Sequence, residues 1–383
     1  MESVANGGRG LFDLVLKGGR LLDPAQGLDR VTDIAFSEGR IAAIGDGLQG
    51  RATENVAGLI VTPGLIDLHT HVYWGGTSLS VDPMILARRG CTTLVDTGSA
   101  GPGNFAGFLE HVIKPCPIRI VPYLNLSFAG IYAFSKHVMV GESGDQRLLS
   151  PADAALTIEQ HRDVIAGLKV RVGRHASGEA GLVPLDIARQ LADHLGIQMM
   201  VHIDHPPPTL DQVLARLRSG DILTHCFRPF PNTPVTGDGK VQPCVLDARK
   251  RGVFFDIGHG MGSFSFEVAR IMLANGFPPD AISSDVHALC IEGPAFDLLT
   301  TMSKFLCLGM KLEDIILRTT AMPAVALRRP DLGTLAPGAA GDVSLVDIEH
   351  GAFDYEDSTG AILKGTERLR PRGIVFAGHL HLT

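Results

Sequence analysis

The 383-residue chain lacks several features that would commit it to particular partners. No run of Lys and Arg is longer than Arg249-Lys250-Arg251, and no base-stacking motif is present. The formal net charge of −7 and a sequence pI near 6.1 offer no basic field to a phosphate backbone, so no nucleic acid is expected as a partner. No stretch of about 18 uninterrupted apolar residues occurs, and no membrane span is expected. The opening MESVANGGRGLFD carries Glu2 and no apolar core, unlike a secretory signal, which points to a cytoplasmic protein. The six cysteines (Cys91, Cys116, Cys226, Cys244, Cys290 and Cys307) show no C-x-x-C spacing. A chain of this size needs no disulfide frame, and they read as reduced packing residues.

What is present divides by texture. From Phe12 to about Asn55 the chain carries short alternating runs broken by Gly-containing turns, Lys17-Gly18-Gly19 and Glu38-Gly39-Arg40, which are hairpin signals. The same texture returns in Gly341–Asp347 and Arg372–Gly378, so residues 1–60 and 331–383 are expected to form one small β-domain. Residues 61–330 instead alternate short apolar runs with helix-like segments. Expected strands are Gly64–His69, Thr92–Asp96, Ile118–Leu126, Gly167–Val172, Gln198–His202, Ile222–His225, Val253–Ile257 and Ala281–Ser284, with amphipathic stretches such as Leu185–Leu195 and Phe266–Asn275 between them. Eight strands with crossovers predict an α/β fold, a (β/α)8 TIM barrel, with a small β-sandwich domain built from both termini. Such barrels carry their chemistry at the carboxyl ends of the strands.

The organising stretch is Val61–His71, VTPGLIDLHTH. Its apolar run reads as a strand buried on both faces, and side chains two apart share a face, so His69 and His71 can reach one point in space. The later strand ends add Lys169, His202, His225 and Asp285. Each has an ordinary alternative: a hydrogen-bonded core histidine, a solvated lysine, or for Asp285 a helix N-cap.

In order, type and spacing these six residues resemble the amidohydrolase superfamily of metal-dependent hydrolases. The likeness spans nearly the whole chain and includes the PGLID-x-H-x-H signature. The resemblance implies two divalent metal ions, Zn2+ being the expected species. His69, His71 and Asp285 would hold one ion, His202 and His225 the other. A CO2-derived carbamate on Lys169 and a hydroxide would bridge them. Asp285 would take the proton from the attacking hydroxide and pass it to the leaving group.

Within the superfamily, the glutamate that deaminases carry three residues after the fifth-strand histidine is replaced here, in His202-Ile203-Asp204-His205. The arginine that dihydroorotases place two residues beyond H-x-H is Tyr73. The passages GLKVRVG, VHIDHPPP, THCFRPFPN, FDIGHGMGSFSFEVA and SSDVHALC resemble a subgroup of two-metal deacetylases. That implies cleavage of an exocyclic acetyl amide or ester from a small carboxylic acid, such as an N-acetyl amino acid or an O-acetyl hydroxy acid. Two alternatives remain: a cyclic amidase such as a dihydroorotase or hydantoinase, and a non-catalytic scaffold of the same fold. Arg228 would clamp the substrate carboxylate, its alternative role being a surface arginine over the 229–234 loop. His259, His205 and His287 are further substrate-contact candidates, with second roles as orienting groups. Ser127 and Tyr132 are weaker candidates. The expected partner is a small-molecule substrate, and a homo-oligomer is compatible with the sequence.

Overall fold

The computed structural model describes residues 11–382, so the reading of residues 1–10 lies outside the described residues. Seven strands form a parallel sheet in sequence order: Leu65–Thr70, Cys91–Thr97, Arg119–Asn125, Gly167–Val172, Gln198–Ile203, Ile222–Leu223 and Phe254–Phe255. The first four are buried along nearly their whole length, as expected of strands covered on both faces. Period two then sorts the side chains. Leu168, Val170 and Val172 join the main core, which includes Leu185, Ala188, Leu191 and Leu195 of the helix Val183–Leu195, while Lys169 and Arg171 take the opposite face. Gly196, left-handed at φ 65°, ends that helix.

The expected eighth strand, Ala281–Ser284, is not a regular strand. The 281–286 segment nevertheless bridges the two sheet edges. Ile257, His259 and Gly260 donate backbone N–H groups to Ala281, Ser283 and Ser284, and on the other side Asp285 donates to His69 O at 2.7 Å and His71 to Val286 O at 3.1 Å. The sheet therefore curls, and the ends of its first and last strands lie beside one segment.

Strands from both ends of the chain share a second, eight-stranded sheet. It comprises Phe12–Asp23, Leu28–Ser37, Arg40–Gly45, Gly50–Asn55, Ile60–Pro63, Val343–Glu356, Ile362–Phe376 and His379–Leu382. The Glu38-Gly39 turn forms as expected, with both residues at positive φ (52° and 72°) between antiparallel strands. The expected turn at Lys17-Gly18-Gly19 does not form. Phe12–Asp23 is one continuous strand with a bulge between Leu16 and Gly19. A Cβ on Gly19 would lie 2.5 Å from Val61 Cγ2, so that glycine serves a close approach rather than a reversal. No helix among the described residues is long and apolar enough to cross a membrane.

Candidate metal centre

The ends of the parallel strands bring the expected ligands together. His69 Nε2 lies 3.2 Å and His71 Nε2 3.3 Å from Asp285 Oδ1. The other nitrogen of each ring is engaged. His69 Nδ1 is 2.8 Å from Thr224 Oγ1, which donates to Asp256 Oδ2 at 2.7 Å, and His71 Nδ1 is 2.9 Å from Ser99 Oγ. The carboxylate-backed Thr224 hydroxyl fixes the tautomer of His69 and leaves its Nε2 lone pair facing inward. Three electron-rich atoms thus converge on one another, an arrangement that needs a cation or a proton between them.

The second half is similar. His225 Nε2 lies 2.7 Å from His202 Nδ1, and His225 Nδ1 is 2.7 Å from Gly258 O. His202 Nε2 and Lys169 Nζ are buried without a hydrogen-bond partner. Lys169 is almost fully buried at 1% exposure, and a Cβ on Gly98 would meet its stem at 2.7 Å. Buried polar atoms are rarely left unpaired, and these two belong to the residues expected to bind metal. The donor set of imidazoles and one carboxylate, with a buried lysine, fits a divalent metal centre.

Electrostatics agree. Burial, reinforced by the Lys169 ammonium, holds His69 well below the ordinary histidine range and His71 at about 3; His202 and His225 are also well below it. All four imidazoles are therefore neutral, the ligating form. Burial lowers Lys169 to about 7 and raises Asp285 to about 6. His225 and Asp285 both adopt positive φ, 67° and 48°, a conformation that histidine and aspartate tolerate better than most residues. Local strain of this kind concentrates at functional sites.

The substrate-contact candidates separate. His287 is 3% exposed, with its ring 6.2 Å from that of His71 and 5.5 Å from Phe134. Arg228 is 4% exposed rather than a surface residue; it donates to Ile203 O, and burial lowers its pKa to about 10. His205 is exposed and forms a separate group with His175 and Asp204. His259 must be corrected as a substrate contact: fully buried, it has Nδ1 2.9 Å from Gly260 O and Nε2 2.8 Å from Lys304 Nζ, so both ring nitrogens are occupied. Ser127 is fully buried, and Tyr132 is 60% exposed.

Sequence reasoning missed the supporting Thr224, Asp256 and Ser99, and also Arg171 and Glu142. Arg171 was within reach of the period-two rule from Lys169. A groove of about 1120 Å³, lined by Phe230, Val235 and Arg270 among others, contains none of the six ligands, so chemistry rather than volume marks the site.

No family model matches the chain. It is 36% identical over 350 residues to a deacetylase of Agrobacterium fabrum, covering 90% of this chain and 85% of that protein. A solved structure described as an adenine deaminase superposes with a TM-score of 0.90 at 30% identity, over 97% of this chain and 100% of that one. One described as a dihydroorotase gives 0.89 at 33% identity, over 97% of each.

Proposed function

Because this chain belongs to the amidohydrolase superfamily, and so is a hydrolase acting on C–N bonds, we propose that it removes an acetyl group, held as an exocyclic amide or ester, from a small carboxylic acid. An N-acetyl amino acid or an O-acetyl hydroxy acid meets that description. The single observation that carries the reading is the meeting of His69 Nε2, His71 Nε2 and Asp285 Oδ1, with His225 Nε2 facing His202 Nδ1 and Lys169 Nζ buried without a partner. The likeness to a deacetylase supports the choice of acyl group.

Two Zn2+ ions would be held, one by His69, His71 and Asp285 and one by His202 and His225, and a carbamate on Lys169 would complete the donor set. When bound, such a pair supplies Lewis acidity and lowers the pKa of the water it holds. The chain's own groups do the rest. With its pKa at about 7, Lys169 is partly uncharged near neutrality, the state that reacts with CO2. Asp285, whose Oδ1 faces His69 and His71, leaves Oδ2 to accept a proton and pass it on. The proposed architecture is a barrel over 61–330 closed through 281–286, with the terminal sheet folded as a sandwich, and the backbone bonds of 281–286 to both sheet edges support that closure.

Cyclic-amide hydrolysis is favoured by the likeness to a dihydroorotase structure. Against it, Tyr73 stands where a carboxylate-gripping arginine is expected, and its ring is stacked 4.7 Å from Phe108 with its hydroxyl donating to Asn104 O. Zinc-loaded protein assayed against acetylated amino and hydroxy acids and against dihydroorotate separates the two. Turnover of an acetylated acid is expected, and hydrolysis of dihydroorotate alone would overturn the proposal. Asp285→Asn is expected to lower kcat roughly 100- to 10,000-fold while most of the metal stays bound. Equal loss of metal and turnover would make Asp285 only a ligand.

A further inference from the structure

Arg171 lies two residues past Lys169 on the same strand and shares its face. Its side chain is 11% exposed and stands beside that of Glu142, 4% exposed, with Nε and Oε1 separated by 3.6 Å. Arg171 Nε and both Glu142 carboxylate oxygens are without a hydrogen-bond partner. Burying a charge pair without closing its hydrogen bonds is a costly arrangement. By comparison, Arg20 meets Asp29 at 2.7 Å and Arg216 meets Asp186 at 2.6 Å. Glu142 is restrained by its backbone. Ser143 N–H donates to Ala176 O at 3.1 Å, and a Cβ on Gly141 would lie 2.1 Å from His175 O.

The other side of the guanidinium faces Phe134, whose ring centroid is 5.4 Å away, and the same ring stands edge-on to His287. Arg171 is close enough to the centre that its charge acts on His71, Lys169, His202 and Asp285. A guanidinium with an unused donor therefore faces the space between Phe134 and the metal ligands. Arg228 also leaves Nε unpaired, but a terminal nitrogen of its guanidinium is anchored on Ile203 O, and no carboxylate stands within ion-pair distance of it among the described residues.

We propose that Arg171 receives the substrate's carboxylate and that Glu142 pairs with it only until a substrate anion takes its place. This rests on reading the pocket as an acyl hydrolase site for carboxylic acids. A free carboxylate can approach the planar fork with two parallel hydrogen bonds, which the strapped Glu142 does not form. Exchange replaces a loose ion pair by a closed one and leaves the acyl end of the ligand on the Asp285 side. Glu142 then sets a threshold: a neutral ligand cannot displace it, and an anion can.

The test uses the metal-loaded full chain with N-acetylalanine and its uncharged methyl ester, measuring binding by calorimetry as well as turnover. Wild type is expected to bind the anion more tightly than the ester. Arg171→Gln should weaken anion binding on the order of 100-fold and leave the ester within a few-fold. Arg171→Lys should recover part of the preference, and Glu142→Gln should tighten anion binding several-fold. Metal content and melting temperature of each variant identify any that fail to fold. Anion preference without turnover in wild type would sink the deacetylase reading and leave this assignment standing. Preference kept in Arg171→Gln but lost in Arg228→Gln, or absent from wild type, would overturn the assignment.

Discussion

Two buried lysines carry the residue-scale predictions. Lys304 has no exposed surface, lies 2.8 Å from His259 Nε2 and donates to Pro294 O at 2.6 Å. Burial lowers its pKa to about 7 from 10.5. As pH falls from 10.5 toward 7 the unfolded chain takes up a proton that the folded chain does not, so folding stability should rise with pH across that window, by on the order of a few kcal/mol in total. Replacing Lys304 with Met should flatten the slope, as read from denaturant midpoints at pH 7 and pH 10; an unchanged slope would mean the proton is taken up elsewhere. Lys169 has the same cause of shift and a different prospect, because its amine has no partner. Lys169→Ala should abolish turnover, and short carboxylic acids should restore part of it by standing in for the missing bridge. Full activity without rescue would remove Lys169 from the centre.

At the scale of elements, the site is held by loops that glycine permits to come close. Gly258 has φ 48°, and a Cβ there would lie 2.3 Å from Thr224 Oγ1, 2.8 Å from His225 Nδ1 and 3.0 Å from His69 Nδ1. Gly258→Ala should cost about 2–4 kcal/mol by combining backbone strain with overpacking, and should lower metal content with it. A variant with wild-type stability and metal would mean the loop adapts freely. The same strands explain what could be read in the sequence. His69, His71, His202 and His225 could be picked out as candidates because each lies at or near the end of a short apolar run, and Lys169 because it is a charge inside one; period two assigns the face. Asp285 was legible by position, although its segment is a bridge of backbone hydrogen bonds between two sheet edges rather than a strand. What stayed hidden depends on contacts distant in sequence. The bulge at Lys17–Gly19 was hidden because its cause is Val61, and Glu142 because nothing periodic marks the loop that brings it to Arg171. His259 was misjudged because its partner, Lys304, sits on a later helix.

At the scale of the whole molecule, the metal centre joins the two edges of the curled sheet. His69 and His71 come from its first strand end, His202 and His225 from its far half, and Asp285 from the segment that bridges the edges. Anything bound to all of them adds to folding stability, by about 4 kcal/mol for a free concentration 1,000 times the dissociation constant. Removing metal with a chelator should therefore lower the melting temperature by several degrees or more, and returning zinc should restore it. These six side chains are expected to hold two cations. The direct measurement is the metal content of gently purified wild type beside that of Lys169→Ala. About two equivalents per chain in wild type, clearly fewer in the variant, is the predicted result. No bound metal in an active wild-type enzyme, or the same content in both proteins, would contradict it.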